Sequence, residues 1–143
     1  MQDIMKLARD FDSHADFLLV YIAEAHAADE WPVGNPVRYN QPTVLSERLC
    51  IAQDFVNEFG IDCDELPLVV DDMCSSGDNG EGDGAHCADN NPVDMAYAMW
   101  PTRFYVVRNG EVKFKAEPNL EHEYKLEELV DFLHDTLAST AHS

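Results

Sequence analysis

The sequence is poor in basic residues, with 9 Lys and Arg against 28 Asp and Glu in 143 residues, and its formal net charge is -19. Because a surface of this sign repels phosphate, nucleic acid is not expected as a partner. There is no apolar run of roughly 18 to 20 residues that would span a membrane, and no signal peptide follows Met1. The chain as given is therefore predicted to be cytoplasmic, and its length predicts a single domain over residues 1–143.

The four cysteines contain no C-x-x-C pair, so the pattern does not indicate a zinc site or a redox pair of that kind. Cys50, Cys63, Cys74 and Cys87 are predicted to be mostly reduced thiols, although a disulfide between Cys74 and Cys87 stays open. These last two flank an acidic, glycine-rich stretch at about 74–92, which is predicted to be an exposed insertion. Its acids lack the spacing of a calcium loop, so neither a metal nor a bound cofactor is predicted.

What the sequence does have is an alternation of helical and strand patterns, which predicts an α/β protein with a parallel sheet. The predicted elements are a helix that ends near Ser13, a strand at Phe17–Ile22, a helix at Leu45–Phe59 capped by Gly60, a strand at residues 66–72, a hairpin turning at Asn109-Gly110, and a last helix at residues 126–137.

A charged cluster follows the first predicted strand in FLLVYIAEAHAADEW, residues 17–31. In open α/β sheets, sites form where parallel strands end, so Glu24 and His26 are candidates for chemistry. Histidine is the side chain that titrates nearest neutral pH, which suits proton transfer. On the pattern alone, however, such a pair more often holds a loop together, and Asp29 and Trp31 are expected to do so here.

Four segments, LLVYIAEAHAADEW, LSERL, PLVVDDM and TRFYVVRNGEVKFK, resemble the iodothyronine deiodinases, which are selenoenzymes of the thioredoxin fold. The resemblance implies a thioredoxin-like sheet with flanking helices and a C-terminal hairpin plus helix. It implies that Glu24 and His26 are catalytic, and that Tyr21 and Arg103 bind substrate, with Arg103 gripping the ligand alongside His26. We expect Glu24 to set the tautomer of His26 or to join a proton relay.

The implied activity is reductive removal of iodine from an iodothyronine or a related halogenated phenol. The resemblance implies an external thiol reductant as a second partner and no bound cofactor. Members of this family are often membrane-anchored dimers, so a homodimer and an anchor upstream of Met1 both remain open.

The chain departs from the family at three places. The family's second histidine falls on Pro42, and its cysteine before the second strand falls on Leu66, which leaves Cys63 as the nearest thiol. The strand that carries the family's selenocysteine or cysteine is expected to precede Met1, so we expect an N-terminally truncated chain that lacks the nucleophile and the central strand. Two alternatives stay open, a peroxiredoxin-like thiol reductase and a non-catalytic thioredoxin-like binding module.

Overall fold

The computed structural model describes residues 1–33, 38–71, 92–97, 103–116 and 125–140. It contains four helices and four strands in these ranges, in the order α1 (Gln2–Asp10), β1 (Leu19–Tyr21), α2 (Leu45–Phe59), β2 (Leu68–Val70), α3 (Pro92–Tyr97), β3 (Tyr105–Arg108), β4 (Glu111–Lys115) and α4 (Leu126–Thr140). The protein is therefore mixed α/β, as predicted. It divides into two compact units, Met1–Pro101 and Thr102–Ser143, and the single-domain expectation stays a prediction.

The sheet of the first unit is a parallel pair in which β1 lies beside β2, with Leu19 opposite Leu68 and Tyr21 opposite Val70. Each strand is three residues long, although the sequence predicted about twice that. Pro67 explains one boundary: its carbonyl accepts the Leu19 amide at 2.9 Å, but proline has no N–H with which to continue the ladder.

Helix α2 has the predicted bounds, and it ends because Gly60 takes a left-handed conformation with φ of 61°. The apolar residues that recur at helical spacing predict a partly different buried face, made of Leu45, Leu49, Ala52, Val56 and Phe59. Leu45 and Leu49 are exposed, whereas the buried residues of the helix are Arg48, Ile51 and Ala52. The helix is thus rotated so that a charged side chain, Arg48, points into the unit.

Arg48 is buried because it meets a carboxylate at the end of β2. Its Nη1 donates to the backbone carbonyl of Asp71 at 3.2 Å and lies 3.5 Å from the Asp71 Oδ2. The two side chains are only 7% and 4% exposed, respectively. Since the Asp71 amide donates to the Tyr21 carbonyl at 2.8 Å, this ion pair joins α2 to the carboxyl ends of both β1 and β2.

The hydrophobic core of the first unit forms where α1 packs near the end of α2. Its buried members are Met5, Ala8, Ile61 and Leu66. Six half-buried side chains pack against them, namely Met1, Ile4, Phe17, Leu19, Phe55 and Val56. Helical spacing in the sequence predicts an apolar stripe of Ile4, Leu7, Ala8 and Phe11 on the first helix. Ala8 belongs to this core and Ile4 packs against it, and Leu7 and Phe11 are also buried.

The second unit contains the predicted hairpin and the last helix. Asn109 and Gly110 both have positive φ, 55° and 76°, which is the backbone that a two-residue Asn-Gly turn requires. A register shift between Val106 and Val107 marks a bulge in the β3–β4 ladder. Phe114 of β4 packs on Phe132 of α4 with ring centroids 5.0 Å apart.

Helix α3 was not predicted, although Pro92 at its first position is a common helix start. The predicted insertion, apart from Pro92, lies outside the described residues, and so do its two cysteines, Cys74 and Cys87. No helix in the described ranges is both long enough and apolar enough to cross a membrane.

Replacing Arg48 with Met is expected to lower the free energy of unfolding by roughly 3–5 kcal/mol, because the buried Asp71 carboxylate then loses its cation. The matched control is Arg38→Met, since Arg38 pairs with Glu58 at 3.1 Å on the exposed surface. That change should cost only about 0–1 kcal/mol. Urea denaturation of both variants makes the measurement, and equal losses would contradict the structural role given to the buried pair.

Candidate functional site

The candidate site lies on the chain that leaves the carboxyl end of β1. The strand ends at Tyr21, and the described residues between it and Leu45, where α2 begins, lie outside helices and strands; they are residues 22–33 and 38–44. Because no ladder supports Glu24 and His26, their positions depend on side-chain and single backbone hydrogen bonds.

Tyr21 and Glu24 form a direct hydrogen bond in which the phenol donates to Oε1 of the carboxylate. Both side chains are half-buried, and the Tyr21 ring packs edge-on against Phe55 of α2 with centroids 5.5 Å apart. Burial raises the pKa of the Tyr21 phenol far above its ordinary value, and the Glu24 carboxylate raises it further. The phenol therefore stays protonated and holds the carboxylate end of Glu24.

His26 is exposed and is oriented by Trp31. Its Nδ1 lies 3.1 Å from the backbone carbonyl oxygen of Trp31, and the two rings meet edge-on with centroids 5.2 Å apart. A carbonyl oxygen only accepts, so Nδ1 must carry the proton of this hydrogen bond. The Nε2 atom is then left to accept a proton, or to deliver one when the ring is doubly protonated.

Glu24 is also held through its backbone by the side chain of Gln41. The Glu24 amide donates to Gln41 Oε1 at 3.1 Å, and Gln41 Nε2 donates to the Glu24 carbonyl at 3.0 Å. Gln41 is held in turn by two acidic residues. Its backbone N–H donates to Asp29 Oδ1 at 2.8 Å, and its side-chain Nε2 donates to Glu30 Oε2 at 3.2 Å. Asp29 thus holds the loop, as predicted.

The segment on which Gln41 lies, residues 38–43, is fastened to α2 by three side-chain contacts. Arg38 pairs with Glu58 at 3.1 Å, and the Tyr39 hydroxyl donates to Asp54 at 2.8 Å. The backbone N–H and the hydroxyl of Thr43 donate to Glu47 Oε2, at 2.9 and 3.1 Å. The hydrogen bond from the backbone N–H lowers the pKa of the Glu47 carboxyl. We call residues 38–43 the strap.

The strap also binds the loop after β1 directly, because the Ala28 amide donates to the Tyr39 carbonyl at 2.8 Å. Ala27 and Pro42 are both buried. Sequence reasoning missed Gln41, since a single glutamine in a proline-containing loop carries no periodic or motif signal.

The structure brings together two of the four predicted site residues, Tyr21 and Glu24. Tyr21 and Glu24 are bonded, and His26 follows two residues later. The Trp31 carbonyl, and not Glu24, contacts Nδ1 of His26, while Glu24 accepts from Tyr21, so a place for Glu24 in a proton relay stays a prediction. Arg103 is half-buried and precedes β3 in the second unit, so its grip on the ligand stays a prediction.

The departures from the family pattern have structural consequences. Leu66 is 1% exposed and belongs to the core, so this position serves packing. Cys63, the nearest thiol in sequence, is free and exposed, and so is Cys50 in α2. Pro42 is buried beside Gln41, within the strap. In the described part of the chain, no group of three or more His, Cys, Asp and Glu side chains is placed to hold a metal ion.

Comparison with known proteins identifies relatives of one kind. The family model described as iodothyronine deiodinase matches residues 1–136. A type I iodothyronine deiodinase of Xenopus laevis is 32% identical over 78% of this chain, a thyroxine 5-deiodinase of Gallus gallus is 34% identical over 93%, and a type II iodothyronine deiodinase of Petromyzon marinus is 29% identical over 93%. These matches cover 36%, 44% and 40% of the relatives' own lengths, so the chain spans less than half of each. They do not favour the peroxiredoxin-like alternative.

The raised pKa of Tyr21 predicts a loss of stability in alkali. Above about pH 10 the unfolded chain releases the phenol proton while folded Tyr21 keeps it, so the folded state binds more protons and the free energy of unfolding falls as pH rises. In Tyr21→Phe this fall between roughly pH 10 and 12 should be shallower, whereas Tyr105→Phe in β3 should keep it. Urea denaturation at a series of pH values makes the measurement, and an unchanged slope in Tyr21→Phe would contradict the burial of the phenol.

Proposed function

The chain belongs to the iodothyronine deiodinase family, because that family's model matches residues 1–136 of its 143, and we propose that its protein removes iodine reductively from iodothyronines or related halogenated phenols. The observation that carries this proposal is the site after β1. There, a tyrosine–carboxylate pair and an imidazole with an assigned tautomer lie within the matched residues.

The proposed reaction is balanced by two thiol equivalents from an external thiol reductant. The carbon–iodine bond breaks and iodine leaves as iodide. The two thiols are oxidised to a disulfide and give up two protons, of which one goes to the ring carbon and the other is released with iodide. A soft nucleophile attacks the halogen, and His26 Nε2 delivers the proton to the ring. None of the described cysteines is assigned as the nucleophile.

Glu24 has a supporting role in this proposal. Its carboxylate is held by the Tyr21 phenol and its backbone by Gln41, so a negative charge lies at a defined place near the imidazole-bearing loop.

We also propose that the sheet is thioredoxin-like, with Arg103 on the ligand side. Two features support this proposal. The β1 and β2 strands are parallel and are connected through α2, and the antiparallel hairpin of β3 and β4 precedes α4 in the order of the described elements.

The test of function is iodide release from thyroxine and from a simple iodophenol in the presence of dithiothreitol. It is measured on a protein that extends the chain upstream of Met1 and supplies the expected nucleophile, and the product is identified by mass spectrometry. Release that depends on both the thiol and the protein supports the proposal. Binding of thyroxine without turnover would favour the alternative of a non-catalytic binding module, and peroxide reduction without iodide release would favour a thiol peroxidase.

His26→Ala is expected to lower the rate of iodide release by about 10²-fold, because the proton donor is removed. His14→Ala is the matched control, since His14 is exposed in the turn after α1 and should leave the rate within about twofold, in line with a surface change. Initial rates at saturating iodothyronine make the comparison. Equal rates for the two variants would remove His26 from the mechanism.

Glu24→Gln keeps the size of the side chain and can still accept from Tyr21, but it removes the negative charge. We expect turnover to fall by up to about 10²-fold. Glu65→Gln is the control, because Glu65 pairs with Arg9 on the exposed surface at 3.2 Å. If Glu24→Gln turned over like the wild type, Glu24 would be a loop residue and not part of the proton path.

A further inference from the structure

We propose that Gln41 is a positioning residue, which places Glu24 and His26 by acting as a substitute strand partner for the Glu24 backbone. This inference rests on the proposed function for its effect on turnover. The contact itself is a property of the described chain.

Glu24 needs such a partner because β1 ends three residues earlier. In an antiparallel sheet, two opposed residues exchange both N–H···O bonds, so that one residue satisfies the donor and the acceptor of the other. Gln41 does this with its side chain: Oε1 accepts the Glu24 amide at 3.1 Å, and Nε2 donates to the Glu24 carbonyl at 3.0 Å. A primary amide offers one acceptor and one donor side by side, whereas an ionised carboxylate offers acceptors only.

A positioning residue must itself be held, and the strap holds Gln41. The backbone N–H of Gln41 donates to Asp29 Oδ1 at 2.8 Å, and this hydrogen bond fixes the Gln41 backbone. On either side, Tyr39 bonds Asp54 at 2.8 Å and Thr43 bonds Glu47 at 2.9 Å, so both ends are tied to α2. Gln41 therefore links the loop after β1 to α2, so that the position of the loop depends on that helix.

The positions of both candidate catalytic residues, Glu24 and His26, therefore depend on the side-chain amide of Gln41. The two hydrogen bonds of Gln41 fix the Glu24 backbone, from which the carboxylate reaches Tyr21 and from which the chain continues for two residues to His26. Displacements of about 1 Å in such groups can cost 10²-fold in rate, so loss of the amide should be visible in turnover.

Two substitutions separate the two hydrogen bonds. Gln41→Met keeps the length of the side chain and removes both bonds. Gln41→Glu keeps an acceptor for the Glu24 amide, but it loses the donor to the Glu24 carbonyl and brings a second carboxylate towards Glu30. The matched control is Gln53→Met on α2, where Nε2 bonds Asn57 at 3.3 Å, one turn along the same helix.

The first measurement is hydrogen exchange of the Glu24 amide in the 143-residue chain, with far-UV circular dichroism to confirm that each variant is folded. Gln41→Met should speed this exchange by about 3- to 10-fold, which corresponds to one lost hydrogen bond. The exchange rate in Gln41→Glu should stay closer to that of the wild type, and the rate in Gln53→Met should equal that of the wild type. Equal protection of Glu24 in the wild type and Gln41→Met would overturn the proposal.

The second measurement is the kinetics of iodide release. Because Gln41 acts through Glu24 and not on the substrate, kcat should fall by about tenfold or more in Gln41→Met and in Gln41→Glu, with a smaller change in KM. An unchanged kcat in both variants, beside an active wild type, would overturn the positioning role. A wild type that releases no iodide would instead contradict the proposed function, while the exchange measurement still decides whether Gln41 holds the Glu24 backbone.

Discussion

The first unit depends on the buried ion pair between Arg48 and Asp71. The carboxyl ends of β1 and β2 need something to fix them, because each strand has only three residues in its ladder. Arg48 supplies a charge-assisted hydrogen bond from α2 to the backbone at the end of β2, and the Asp71 amide passes that constraint to Tyr21. Removing two charges from water is costly, so this pair is better understood as fixing geometry than as adding stability.

The site extends that logic beyond the sheet. Where the β1–β2 ladder ends, the Gln41 side chain acts as a neighbouring strand for Glu24. Gln41 is itself fixed to α2, because Tyr39 and Thr43 of the strap form hydrogen bonds with that helix. Both supports originate on the same helix. As a result, the Tyr21 backbone is held by Arg48 through Asp71, and the Glu24 backbone is held by Gln41. The hydrogen bond from the Tyr21 phenol to the Glu24 carboxylate connects the two.

The sequence was sufficient for the parts of this structure that local rules determine. Gly60 and Asn109-Gly110 require left-handed backbone, so the end of α2 and the hairpin turn were both predictable. The buried face of α2 was not, because periodicity counts apolar residues and cannot foresee that Arg48 will find a buried carboxylate 23 positions later. The contacts of Gln41 escaped prediction for the same reason: they link positions 17 apart in a stretch without repeat or motif.

The departures at Pro42 and Leu66 bear on where protons and electrons can travel. Proline has no titratable group, and a core leucine has no thiol, so neither position can perform the role that the family resemblance would give it. In the proposed chemistry the proton donor is His26, which lies two residues after Glu24 in the chain. The proposed reducing equivalents come from an external thiol, and Cys63, three residues before Leu66, is a free and exposed thiol. With no titratable group at position 42 and no thiol at position 66, the proposed activity is expected to depend strongly on the hydrogen bonds that hold the Glu24 backbone, and above all on Gln41.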